Sequence, residues 1–186
     1  MKEISLHILD IVQNSIEAGA TRVAIAVTAD SQRDLLTVAI ADNGRGMPPN
    51  MVAKVTDPFV TTRATRRVGL GLPLLAATAR QSGGTLTVAS AEGEGTKVTA
   101  TFGLGNIDRP PLDDMATTRA CLLAANPSLE FGYRHRAGGP EFRFGATEFR
   151  GKLDGVSFSS PAVYRVVKEH VAAGVREALS KGGIAP

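Results

Sequence analysis

The chain has 186 residues, 43% of them hydrophobic and 21% charged, with a formal net charge of +3 and a pI near 9.3. That balance excludes a disordered chain, and no apolar run reaches the ~20 residues that cross a bilayer. A single cysteine, Cys121, excludes an intrachain disulfide and makes the cytoplasm the expected compartment.

Glu3 and Asp10 interrupt the start of the chain where a signal peptide needs an apolar core, so no export is expected. Residues 1–108 carry ten basic and ten acidic side chains, which places the excess charge in the tail and argues against a nucleic-acid partner. No membrane association is expected either.

The stretch from Leu6 to Thr21 predicts an amphipathic helix. Ile4, Ile8, Leu9, Ile11, Val12 and Ile16 form its apolar side, and His7, Asp10, Asn14 and Glu17 stack on the opposite stripe. Asp10 and Asn14, one turn apart, can share a pocket, although a merely solvated face has the same pattern. Gly19 stops the helix.

Val23–Thr28 and Leu35–Ala41 then predict an antiparallel hairpin across Asp30–Asp34, with Asp42 delivered at the strand end. Asn43, Gly44, Arg45, Gly46 and Met47 follow as a loop whose missing β-carbons would let a flat ring approach the backbone, and a simple turn explains it too. Pro48-Pro49 opens a short helix to about Val55.

Asp57 to Arg67 has no period and reads as a mobile loop. Its cations Arg63, Arg66 and Arg67 suit a polyphosphate, or an exposed basic loop. Gly69-Leu70-Gly71 runs into a helix from Leu72 to Gln81, with Pro73 in its first turn and Gly83-Gly84 at its end. Thr85–Ser90 and Lys97–Phe102 alternate at period two around the Glu92–Gly95 turn, giving a second hairpin.

Residues 104–112 are a linker by composition. The tail, 113–186, reads as a small α+β appendage: a helix at Asp114–Ala125, a hairpin from Leu129–Arg136 and Glu141–Glu148, and a helix at Val163–Leu179. Val163, Val166, Val167, Val171 and Val175 of that last helix are expected to point inward.

Four motifs stand in order: the helix around Asn14, Asp42-Asn43-Gly44-Arg45-Gly46-Met47, Asp57-Pro58-Phe59-Val60-Thr61-Thr62-Arg63, and Gly69-Leu70-Gly71-Leu72, closed by Gly93-Glu94-Gly95-Thr96. Together they resemble the N, G1, F and G2 boxes and final Gly-Thr element of the GHKL superfamily of ATP-binding proteins over about residues 4–103. The resemblance implies a Bergerat-type two-layer α/β sandwich, a mixed sheet with helices on one face, binding ATP and Mg²⁺.

By that resemblance Asn14 supplies the Mg²⁺ oxygen, Asp42 accepts from the adenine amino group, and Thr96 closes the base pocket. Gly44, Gly46 and Met47 line the base side. Phe59, Thr61, Thr62, Arg63, Arg66, Arg67, Gly69, Leu70, Gly71 and Leu72 belong to the lid and phosphate loop.

The N box resembles the MutL branch, which has a carboxylate in the place of Asp10 and uses it to activate water; here it is Asp instead of Glu. The sequences DPFVTTR and VGLGLPLL are instead similar to nitrogen-regulator-type histidine kinases. No long helical hairpin precedes the N box, and His7, His135 and His170 read as a polar-face neighbour of the nucleotide and two surface histidines. A phosphoacceptor or protein partner in trans is therefore expected, with a homodimer also open. The implied functions are a histidine-kinase-like ATPase or kinase in signal transduction, an ATP-sensing regulatory module, or an anti-sigma-type serine/threonine kinase.

Overall fold

Strict alternation in the strands dictates the architecture. In β1 (Arg22–Asp30) Val23, Ile25, Val27 and Ala29 are buried, while Arg22, Ala24 and Thr28 between them are exposed. One face of the sheet is thus core and the other faces solvent. The structure, a computed structural model, describes residues 3–57, 71–112 and 115–182.

The described elements run α1 (Ile4–Glu17), β1, β2 (Leu35–Asp42), α2 (Pro49–Val52), α3 (Gly71–Gln81), β3 (Leu86–Ala91), β4 (Gly95–Gly103), α4 (Met115–Ala125), β5 (Glu130–Ala137), β6 (Phe142–Gly145), α5 (Ala146–Arg150) and α6 (Pro161–Gly182). The strands form one mixed sheet in the order β3-β4-β2-β1-β5-β6, antiparallel except for the parallel pair β1 and β5. Register carries the core across the sheet: Val88, Val98, Ile40, Ile25, Tyr133 and Phe144 are successive partners in a single row. Helices α1, α3, α4, α5 and α6 pack on this inner face, which makes the two-layer α/β sandwich expected of the Bergerat fold.

α1 ends two residues before Gly19. Gly19 N–H donates to Ile16 O at 2.9 Å and Ala20 N–H to Ser15 O at 3.0 Å, and Gly19 takes φ +81°. This paired reversal consumes the orphan carbonyls and turns the chain toward β1. The same device closes α3, where Gly84 N–H donates to Ala79 O at 2.8 Å and Gly83 to Arg80 O at 3.1 Å.

The tail elements occur in the expected order, but they are built into the same sheet and core. β5 pairs with β1 from Arg22↔Glu130 to Ala29↔Ala137, and Leu122, Leu123, Phe131 and Val167 belong to one apolar cluster with Ile8, Ile25 and Leu75. The proline-rich stretch 104–112 is anchored as well: Pro111 O accepts from Ile4 N–H at 3.1 Å, and Asp34 accepts from the N–H groups of Leu104 and Gly105.

Four expectations need correction. His7 is 1% exposed, so it belongs to the buried side of α1 and not to its wet stripe. His135 is 2% exposed because odd-numbered residues of β5 face inward. The strand expected to reach Glu148 stops at Gly145, where α5 begins. Val166 is exposed, since Val163, Val167 and Val171 already define the inward face of α6 at spacings of four.

Candidate functional site

Asp42 ends β2 on the inner face, opposite Thr96 of β4 and Val23 of β1. Its half-buried carboxylate accepts three hydrogen bonds. Oδ1 takes the Gly44 N–H at 2.9 Å and the Thr96 N–H at 3.3 Å; Oδ2 takes the Ser15 hydroxyl at 2.7 Å. One side chain therefore ties α1, β4 and the glycine loop together. A carboxylate has roughly four lone-pair sites, so an acceptor position remains for a ligand donor.

The loop after Asp42 is held by its own side chains. Asn43 Oδ1 accepts from Thr21 and Arg22 N–H at 3.0 and 2.8 Å, and its Nδ2 donates to Thr21 Oγ1 at 2.9 Å. A β-carbon on Gly44 would stand 3.1 Å from Asp42 Oδ1; one on Gly46, at φ +67°, would stand 1.9 Å from the Ala91 carbonyl oxygen. Gly46 is thus required by the close approach of β3. Met47 N–H donates to Ser90 Oγ at 2.9 Å, and Ser90 reaches Gly95 O at 2.7 Å and Thr96 Oγ1 at 3.0 Å.

Five residues before Ser15, about 7 Å along the helix axis, stands Asp10. Asp10 and Asn14 are half-buried and look toward the first residue of α3: a β-carbon at Gly71 would fall 2.1 Å from Asp10 Oδ2 and 3.6 Å from Asn14 Nδ2. The start of α3, where the first N–H groups of a helix lack intrahelical partners, therefore adjoins both polar side chains. Leu72 packs at the edge of the core. Phe59, Thr61, Thr62, Arg63, Arg66, Arg67, Gly69 and Leu70 lie outside the described residues, as does most of the loop expected at Asp57–Arg67.

His7 lies one turn before Asp10, against α3, with Nε2 3.5 Å from Thr78 Oγ1. Burial pushes its pKa below the ordinary value, with Asp10 opposing. It is therefore a neutral packing residue between helices at neutral pH. His135 lies on the other half of the sheet, its Nδ1 2.7 Å from Tyr133 OH, with the Arg119 guanidinium 3.3 Å over the Tyr133 ring.

Ser15 and Ser90 are the site residues that the motifs did not single out. Ser15 was visible only as the neighbour of Asn14. Ser90 follows from hairpin register, since it pairs with Thr96.

Residues 2–106 match the family described as Histidine kinase-, DNA gyrase B-, and HSP90-like ATPase. The chain belongs to that family. It holds the family's ATP-binding domain, with the mixed sheet and helices described above.

Over 108 residues the chain is 32% identical to an NtrY-like sensor histidine kinase of Rickettsia conorii, covering 58% of this chain and 18% of that protein. It is 33% identical over 92 residues to the sensor histidine kinase ZraS of Escherichia coli K12, covering 50% of this chain and 20% of the kinase. The chain thus spans about a fifth of the length of these kinases. In fold it is similar to the N-terminal domain of a DNA repair protein, with a TM-score of 0.57 at 15% identity, covering 77% of this chain and 52% of that one. That coverage extends beyond the family match and into the tail.

An Asn amide and an Asp carboxylate are hard oxygen donors, suited to Mg²⁺ that keeps phosphate and water ligands. No cluster of three or more His, Cys, Asp or Glu fit to hold a metal by itself occurs among the described residues. Metal held jointly with a phosphate fits this donor set. No helix of the described residues is long and apolar enough to cross a membrane.

Proposed function

We propose that this family member is a Mg²⁺-dependent, histidine-kinase-like ATPase that releases the γ-phosphate to water or to an acceptor in trans, in a signalling or regulatory setting. The observation that carries the reading is that three polar side chains of α1 reach both parts of the site: Ser15 bonds the Asp42 carboxylate, and Asp10 and Asn14 adjoin the start of α3.

In this reading Asp42 accepts the adenine amino group on the free lone pair of its carboxylate, and Thr96 and Met47 flank the base. Asn14 holds Mg²⁺ together with phosphate oxygens. The metal supplies charge neutralisation at the phosphates. Gly71 and Leu72 offer backbone N–H groups at the start of α3 to the phosphate chain, and Arg63, Arg66 and Arg67 contribute positive charge. Asp10 orients an attacking water and accepts its proton. Transfer to a protein acceptor needs no further group from this chain, because positioning and charge neutralisation carry phosphoryl transfer.

A second reading rests on one feature, the aspartate at position 10. It is one methylene shorter than the MutL-branch glutamate, and a misplacement of about 1 Å can lower a rate roughly a hundredfold. In that case the chain is an ATP sensor that docks a partner. Incubation with Mg²⁺-ATP separates the readings: ADP alone indicates an ATPase, acid-labile phosphoprotein indicates histidine or aspartate transfer, and acid-stable phosphoprotein indicates a serine/threonine kinase. Binding without any turnover indicates a sensor.

A further inference from the structure

We infer that Ser15 is a positioning residue that sets base selectivity, by locking the Asp42 carboxylate in the rotamer that accepts an amino group. This rests on the proposed nucleotide site and adds a role to a residue outside its expected contacts.

Ser15 is 4% exposed and inward on α1, while its neighbour Asn14 is half-buried toward Gly71. Its hydroxyl has one proton and two acceptors in reach, Asp42 Oδ2 at 2.7 Å and Ile11 O at 3.1 Å. The proton goes to the carboxylate, which is the nearer acceptor. The Ile11 carbonyl already serves the helix ladder.

Without this bond, Asp42 is held through Oδ1 alone, by Gly44 and Thr96. A turn of the carboxyl plane about the Cβ–Cγ bond, a broad torsion with little intrinsic preference, then breaks only the two Oδ1 bonds, one of them 3.3 Å long. Ser15 adds the shortest of the three bonds, at the other oxygen, and so holds the plane from both ends; a purine carbonyl at the amino position then meets a fixed acceptor and is rejected. Because Ser15 and Asn14 are consecutive on one rigid helix, the base end and the phosphate end of the site keep a constant spacing.

The test is calorimetric titration of the parent, Ser15→Ala, Asp42→Asn and the double variant with ADP and with inosine diphosphate, each checked for folding by circular dichroism. The parent should prefer ADP strongly. Ser15→Ala should weaken ADP about tenfold, the size of a lost hydrogen bond to a charged acceptor, and should narrow the preference over inosine diphosphate. The double variant should be little worse than Asp42→Asn alone, since both act through one carboxylate.

Unchanged selectivity in a folded Ser15→Ala protein, or additive losses, would overturn the inference and leave the nucleotide site standing. A folded parent that binds neither nucleotide would remove the site reading itself. If Ser15→Ala does not fold, Ser15→Cys keeps the volume with a weaker donor, and the same two outcomes apply.

Discussion

Gly71 stands against Asp10 so closely that a β-carbon at 71 would fall 2.1 Å from the carboxylate oxygen Oδ2. The start of α3 and the polar face of α1 are thereby one surface, and Asp10 is the carboxylate nearest to it. Asp10→Asn should abolish turnover while leaving ATP affinity nearly intact, and Asp10→Glu should retain or raise it. Steady-state ADP release alongside nucleotide titration measures both. Turnover by Asp10→Asn at the parental rate would remove Asp10 as the base and favour the sensor reading.

Asp42→Asn changes an acceptor into a group that must present both an oxygen and an amide. Two backbone N–H groups and a hydroxyl already point at it. Binding of ADP should weaken by about 1–3 kcal/mol, read by calorimetry. Equal affinity would show that the base does not sit on Asp42.

Stability should fall on acidification. Burial, reinforced by the Arg119 charge, lowers the His135 pKa from 6.5 to about 4. Above pH 6.5 the imidazole is neutral in both folded and unfolded chains; between 6.5 and 4 only the unfolded chain takes up the proton. The unfolded state is therefore favoured progressively as pH drops through that window, by on the order of 3 kcal/mol at its lower end. His7, also lowered by burial, acts in the same direction. Urea midpoints at pH 7.5 and 5 measure the loss, and His135→Gln should flatten it.

Phe131 is 1% exposed on β5, in register with Val23. Phe131→Ala should cost about 3–5 kcal/mol through lost burial and the cavity left behind. Because the tail and the first 106 residues share one core, urea unfolding of this variant should remain a single transition at a lower midpoint. A chain ending at Asn106 would leave β1 an open edge with Ile25 and Val27 stripped of Tyr133 and His135, and should fail to fold. A folded, nucleotide-binding truncation would refute this.

Both hairpins, α1 and α3 were legible in the sequence because each rests on a local signal: period-two alternation, a 3.6-residue stripe, or a glycine at a helix end. Asp42, Asn14 and Gly71 were legible as motif positions. The tail was harder to read, since proline at 110 and 111 marks a linker by composition, while the bond from Ile4 N–H to Pro111 is long-range and leaves no local trace. His135 is hidden for a similar reason: it sits between Arg134 and Arg136, which suggests a wet strand, yet parity with Phe131 and Tyr133 decides its face. Ser15 is small and polar on a helix, and only the arrival of Asp42 from β2 gives it a role.

The parallel pairing of β1 with β5 joins Arg22 to Glu130, 108 residues apart in the chain. A ribosome adds roughly 5–20 residues per second, so β1 waits on the order of 5–20 s for its partner strand to be made. During that interval an apolar strand edge is open to the cell. Synthesis, more than the finished fold, is when this protein is exposed to mispairing with its own copies and to capture by chaperones.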